Sequence, residues 1–138
     1  MYKTVILAGK PVHVELTRAA ECAVADLQQL LVAEVHLILG CMVLKRVWFR
    51  SADAVNARPV TLSGLLGACF RTVRYSKSCR ISHIDQGDEE PTDFPLAVSK
   101  RQFAPNWLKI DFRSGQWVGT FGYDRPDSFK SSVWRGAC

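Results

Sequence analysis

Cys79, His83 and Asp85 have the residue types of a nucleophilic site. A thiol, an imidazole and a carboxylate can serve as nucleophile, base and orienting group. Their spacing works against that chemistry. On a strand, residues 79 and 83 point the same way about 13 Å apart, so they meet only across a bend. Cys41, Cys69, Cys79 and His83 have the ligand chemistry for zinc, but their spacings match no compact zinc motif. The chain has no Gly-rich phosphate loop, no HExxH and no nucleophile elbow. The sequence thus nominates no catalytic residue, no metal ligand set and no cofactor. His13 and His36 read as strand residues on wet or half-buried faces.

Charge placement carries more information. The net charge is +5, but it is not spread evenly. Between Lys45 and Arg80 lie eight basic residues (Lys45, Arg46, Arg50, Arg58, Arg71, Arg74, Lys77, Arg80) and one acid, Asp53. That segment is +7, which leaves −2 for the rest of the chain. Trp48, Phe70 and Tyr75 are interleaved with these charges. Guanidinium and ammonium groups neutralise phosphates, and aromatic faces stack bases. The expected site is therefore a nucleic-acid-binding face of Lys45, Arg46, Arg50, Arg71, Arg74, Lys77 and Arg80 with Trp48 and Tyr75. Arg46 and Arg50 should project from one strand, and Arg74 and Arg80 from a neighbour. No RNP motif, GXXG loop or helix-turn-helix signature supports this reading, which rests on charge alone. The five acids between Asp85 and Asp93 form a loop that could compete with an anionic ligand for that face.

These residues need elements to hold them. The organising stretch is VAEVHLILGCMVLKRVWFR, residues 32–50. At period two, Ala33, Val35, Leu37, Leu39, Cys41, Val43, Val47 and Phe49 share one side, interrupted by Lys45. The other side carries Glu34, His36, Arg46 and Arg50. Nineteen residues of straight strand would span roughly 60 Å, too long for a small domain. The run is expected to turn at Gly40-Cys41, setting Leu39 against Met42 and Leu37 against Leu44. A bent single strand and a helix from Arg18 to Leu39 capped by Gly40 are the alternatives.

Elsewhere the signals are local. Residues 2–16 read as a hairpin turning at Gly9-Lys10, with Leu7 facing Val12 and Val5 facing Val14. Pro11 belongs on an edge or at a strand's start. Thr17 is a good N-cap for a helix over about 18–30. Residues 51–63 read as a polar connection and Leu62–Ala68 as a short helical turn. From Cys69 another strand region begins, its even positions Thr72, Arg74 and Arg80 polar and its odd positions Cys69, Val73 and Tyr75 buried. WLKIDFR-SG-QWVGTFGY reads as a hairpin with Phe112 opposite Trp117.

The expected fold class is α+β: a mostly antiparallel sheet of β-hairpins with one principal helix packed on one face. Residues 1–123 form a single domain and 124–138 a loosely docked tail. Val35–Leu44, ten residues without a charge, is too short to cross a bilayer, so no membrane is expected. The N-terminal apolar run is too short for a secretory signal. Five cysteines without a CxxC pair point to reduced thiols and a cytoplasmic protein. The function these features imply is a small, basic, non-enzymatic binding module for single-stranded nucleic acid. The alternatives are a protein-interaction subunit or homo-oligomer pairing through an apolar sheet surface, and, more remotely, a Cys/His metal site or Cys-based enzyme.

Overall fold

The computed structural model describes residues 1–39, 43–55, 58–74, 91–94 and 100–124. The chain begins with β1 (Tyr2–Leu7) and β2 (Lys10–Leu16), followed by α1 (Arg18–Ala25). It continues through β3 (Leu31–Ile38), β4 (Leu44–Ser51), β5 (Val60–Ser63) and β6 (Leu66–Arg74). The short β7 (Thr92–Asp93) and the hairpin β8 (Trp107–Arg113) and β9 (Gln116–Gly122) complete it. A four-stranded sheet has the order β1-β2-β8-β9. A second has the order β4-β3-β6-β5, with β7 paired to β6. The fold is α+β with a single helix among the described residues, as the sequence indicates. Two pairings, β2 with β8 and β3 with β6, are parallel, which hairpin reasoning does not reach.

The two sheets face each other across one core. Val5, Val12, Val14, Leu16, Leu108, Ile110 and Phe121 come from the first, and Ala33, Val35, Leu37, Leu62, Leu66, Ala68 and Phe70 from the second. The sheet edges also approach, β9 against β4 and β1 against β5, so the layers close on both sides. Gly119 permits one of these closures. A Cβ there would stand 2.7 Å from Val47 of β4, inside any tolerable contact.

Turn chemistry sets the hairpin registers. Ser114 and Gly115 both have positive φ, as a type I′ turn requires, and Phe112 pairs with Trp117 as expected. Their rings meet edge to face at 5.0 Å. In the first hairpin the turn is Ala8-Gly9, not Gly9-Lys10, so Val5 pairs with Val12 and Leu7 with Lys10. This is a shift of two residues, which leaves every side chain on its expected face. Pro11 precedes the segment of β2 that bonds to β8, which starts at His13, so its missing donor costs nothing there.

Residues 31–38 are strand, not helix. β3 lies at the centre of its sheet, with ladders to β4 and β6 along its whole length. Those two sets of bonds and its β-branched residues favour strand over continuation of the helix. The helix accordingly ends at Ala25, short of residue 30, with Asp26 at its C-cap. Thr17 caps its start, accepting from the Ala20 amide at 3.0 Å and donating to Asp111 at 2.6 Å. The β3–β4 register sets Ile38 against Leu44 and Leu37 against Lys45, one residue from the expected pairing. The two-residue turn expected at Gly40-Cys41 falls outside the described residues. Leu62–Ala68 is not a helical turn. It spans the end of β5, a Gly64-Leu65 turn with Gly64 at φ 51°, and the start of β6.

Gly119→Ala should lower unfolding stability by about 1–3 kcal/mol, because Val47 has to move to admit the methyl. Urea denaturation should show an earlier midpoint with an unchanged slope.

Candidate functional site: an ion network on the outer face of β3, β4 and β6

Alternation along β3 places Ala33, Val35 and Leu37 in the core and Glu34 and His36 on the opposite face. Their cross-strand partners are Trp48 and Arg46 on β4 and Cys69 and Arg71 on β6. Arg50 lies one step further along β4, opposite Val32. Glu34 and His36 are both 0 % exposed. A carboxylate buried this deeply must be paired or lose its charge.

Glu34 is paired three times. Oε1 accepts from His36 Nε2 at 2.7 Å and from Arg71 Nη1 at 2.8 Å. Oε2 accepts from Arg50 Nη1 at 3.1 Å. Burial alone would raise the Glu34 carboxyl. The His36 and Arg71 hydrogen bonds and charges outweigh it and hold the group at about 2. Arg71 is itself held by Asp93 Oδ1 at 2.9 Å and by the Pro91 carbonyl at 3.3 Å.

Burial lowers the His36 imidazole below its ordinary value, against the pull of Glu34. The ring is therefore neutral near pH 7. The nearby carboxylate assigns its hydrogen to Nε2, leaving Nδ1 a buried lone pair with no hydrogen-bond partner among the described residues. Cys69 is pushed up to about 12, first by burial and then by Glu34, so it remains a thiol. An ionised, triply bonded Glu34 and a thiol at Cys69 supply neither a poised acid nor a nucleophile.

Trp48 completes the face. Arg46 lies over its ring at 4.7 Å and Arg50 at 4.3 Å, and His36 meets it edge-on at 6.0 Å. Three alternate residues of β4 thus form a cation–π row, half-buried and facing outward.

The structure separates the basic residues that the sequence groups together. Arg46, Trp48, Arg50 and Arg71 share this face. Lys45 falls on the other side of β4, where it donates to the Phe121 carbonyl at 3.2 Å. Arg74 is also out of phase with Arg71, because β6 alternates oppositely to the expectation. Leu66, Ala68 and Phe70 enter the core, while Cys69, Arg71 and Val73 face outward. β6 is buried on both faces, so its polar Thr72 and Arg74 did not mark a wet side. Lys77, Arg80 and Tyr75 lie outside the described residues, as do Cys79, His83 and Asp85. The sequence places Glu34 and His36, the centre of the network, on the face of Arg46 and Arg50, but as a wet or half-buried face, whereas both are fully buried. A glutamate and a histidine two apart in a doubly paired strand are the signal that could have revealed it.

Two cysteine expectations change. Cys69 is free, but Cys22 on α1 is disulfide-bonded, so the five thiols are not all reduced. Disulfides are rare in reducing compartments, so the cysteines no longer argue for a cytoplasmic site. Of the conjectured zinc ligands only Cys69 is described, and no three His, Cys, Asp or Glu residues cluster as a metal site among the described residues. No helix among them is long and apolar enough to cross a membrane. Comparison with protein families, curated proteins and solved structures finds no match to this chain.

The network makes stability acid-sensitive in two stages. His36 has an ordinary value of 6.5 and is lowered in the fold, so below about 6.5 the unfolded chain binds a proton that the folded chain resists. Glu34 acts alike between 4.5 and about 2. Both contributions are present at neutral pH and lost as pH falls, the Glu34 part on the order of 3 kcal/mol. Denaturation midpoints measured from pH 7.5 to 3 should fall from about 6.5 downward. In His36→Gln the first decline should vanish while that below 4.5 persists.

Proposed function

We propose that this protein is a small non-enzymatic binding module that presents the Arg46–Trp48–Arg50 row to single-stranded nucleic acid. The observation behind this reading is the row itself, two guanidinium groups at 4.7 and 4.3 Å from one indole on an outward strand face. Alternate strand residues stand about 6.6 Å apart, so the row offers spaced cationic contacts along an extended backbone. With guanidinium groups over its ring, Trp48 orders the arginines and is poorly placed to stack a base. Recognition then rests on phosphate charge, with little sequence preference. The favourable charge is modest. Arg50 and Arg71 spend part of their charge on Glu34 and Asp93. Binding in the micromolar range or weaker at about 0.15 M salt is therefore expected.

A second reading, pairing with another protein or with a second copy, draws on the edge strand β1. Tyr2 and Ile6 stand on its outward face, 47 % and 57 % exposed.

The two readings separate by salt dependence. Labelled single-stranded DNA and RNA should be titrated at several salt concentrations with the wild type and with Arg46→Ala. Arg46 is the residue of choice because the His36, Arg50 and Arg71 bonds to Glu34 all survive its removal, so the buried carboxylate stays paired. The variant should bind several-fold more weakly, with a salt slope shallower by about one unit. Absence of binding at low salt removes the nucleic-acid reading, and self-association measured by sedimentation then becomes the test of the second.

A further inference from the structure

β4 and β9 are edge strands of different sheets, and they meet along one seam. A notch of about 170 Å³ opens in that seam, lined by Lys45, Arg46, Val47, Gly119, Thr120 and Phe121. Among the described residues its lining holds two cations and no acid. Its volume is below the roughly 300 Å³ from which pockets take drug-sized molecules, so it suits one small group.

The main chain of β9 supplies part of the lining. In a two-residue hairpin the pair next to the turn, here Arg113 and Gln116, is hydrogen-bonded, and bonded pairs then alternate. Val118 and Thr120 therefore spend their main-chain groups on β8, while those of Gly119 and Phe121 turn toward β4. The Phe121 carbonyl bears this out by accepting from Lys45 Nζ at 3.2 Å. The Gly119 amide turns the same way, and Gly119 has no side chain of its own to cover it. Main-chain amides along a sheet edge form concave anion sites.

The side chains reach the notch from different sides. Lys45 shares the core side of β4 with Val47, and its ammonium lies 5.8 Å from the Phe121 ring centre. Arg46 stands on the outer face of β4, 4.7 Å over Trp48. Thr120 alternates with the buried Phe121, so its hydroxyl lies on the outer face of β9. An ammonium has three donors, so the bond to one carbonyl does not exhaust Lys45. Donors arriving from several directions suit a phosphate, whose oxygens also point several ways, better than a planar carboxylate.

We propose that this notch is a phosphate subsite, and that it takes one phosphate of a nucleic-acid strand lying along Arg46, Trp48 and Arg50. The second part rests on the nucleic-acid reading of that row. Arg46 both lines the notch and begins the row, so a strand following β4 passes from one to the other.

The test uses amide spectra of the isotope-labelled full chain, titrated with inorganic phosphate at constant ionic strength. The Gly119, Thr120 and Phe121 amides should shift and saturate, with a Kd on the order of 1 mM. Lys45→Gln should weaken binding several-fold. Thr120→Glu sets a carboxylate beside the notch and should abolish saturation. Both positions are exposed, so the variants should keep the fold. No saturating shift in the wild type, or an equal shift in both variants, overturns the subsite. A single-stranded oligonucleotide is then titrated in place of phosphate. It should move the seam amides together with the Trp48 indole signal. If it moves Trp48 alone, the notch is overturned as a strand contact while the nucleic-acid reading stands. If phosphate binds at the seam and the oligonucleotide moves neither signal, the notch stands as a small-anion site and the nucleic-acid reading falls.

Discussion

The outer face of this protein depends on one buried carboxylate. Glu34 sits in the middle of a central strand with neighbours on both sides, and no water can solvate it. Its charge survives because β4 and β6 each bring an arginine to it and β3 itself brings His36. The network ties together the three strands that carry it, across both the antiparallel and the parallel ladder. Such networks are weak contributors to net stability, because desolvation offsets most of the attraction. Removing one partner is nonetheless expensive, since the others are left charged and dry. Its main consequence here is therefore geometric. It fixes where Arg50 and Arg71 point, and through Arg50 it helps fix the plane of Trp48.

Much of the architecture is legible in the sequence wherever a local device sets it. The Ser114-Gly115 turn fixes the β8–β9 register, and Thr17 fixes the start of the helix. The period-two reading of residues 32–50 places Glu34, His36, Arg46 and Arg50 on one face correctly, although the strands pair one residue away from the expected register. That reading survives because Ala33 pairs with Phe49 and Val35 with Val47, keeping odd residues opposite odd ones. The parallel pairings have no local signal, since their partners are brought together by chain segments of many residues. Without them the single sheet of hairpins and the two facing sheets look alike in sequence.

β6 shows where pattern reading fails for a physical reason. In Leu66–Arg74 both faces are covered, one by the core and one by the Glu34 network. Polar residues then no longer mark the wet side. Thr72 is fully buried among core-side positions and hydrogen bonds to the Phe94 carbonyl, while Arg71 turns outward to Glu34. The grouping of Arg74 with Arg46 and Arg50 fails at this point, because hydropathy at period two distinguishes faces only when they differ in solvation.

Counting charges along the chain also overstates how basic a surface is. Arg50 and Arg71 belong to the +7 segment, but within the fold they neutralise Glu34, and Arg71 also meets Asp93. An arginine committed to a buried carboxylate still has donors, but its positive potential is partly cancelled at short range. Its substitution would disturb the fold and any binding together, so loss of binding in such a variant would not locate an interface. Arg46 is held differently: its guanidinium lies 4.7 Å over the Trp48 ring, so the proposed phosphate binding can be tested there with the Arg50 and Arg71 bonds to Glu34 left intact.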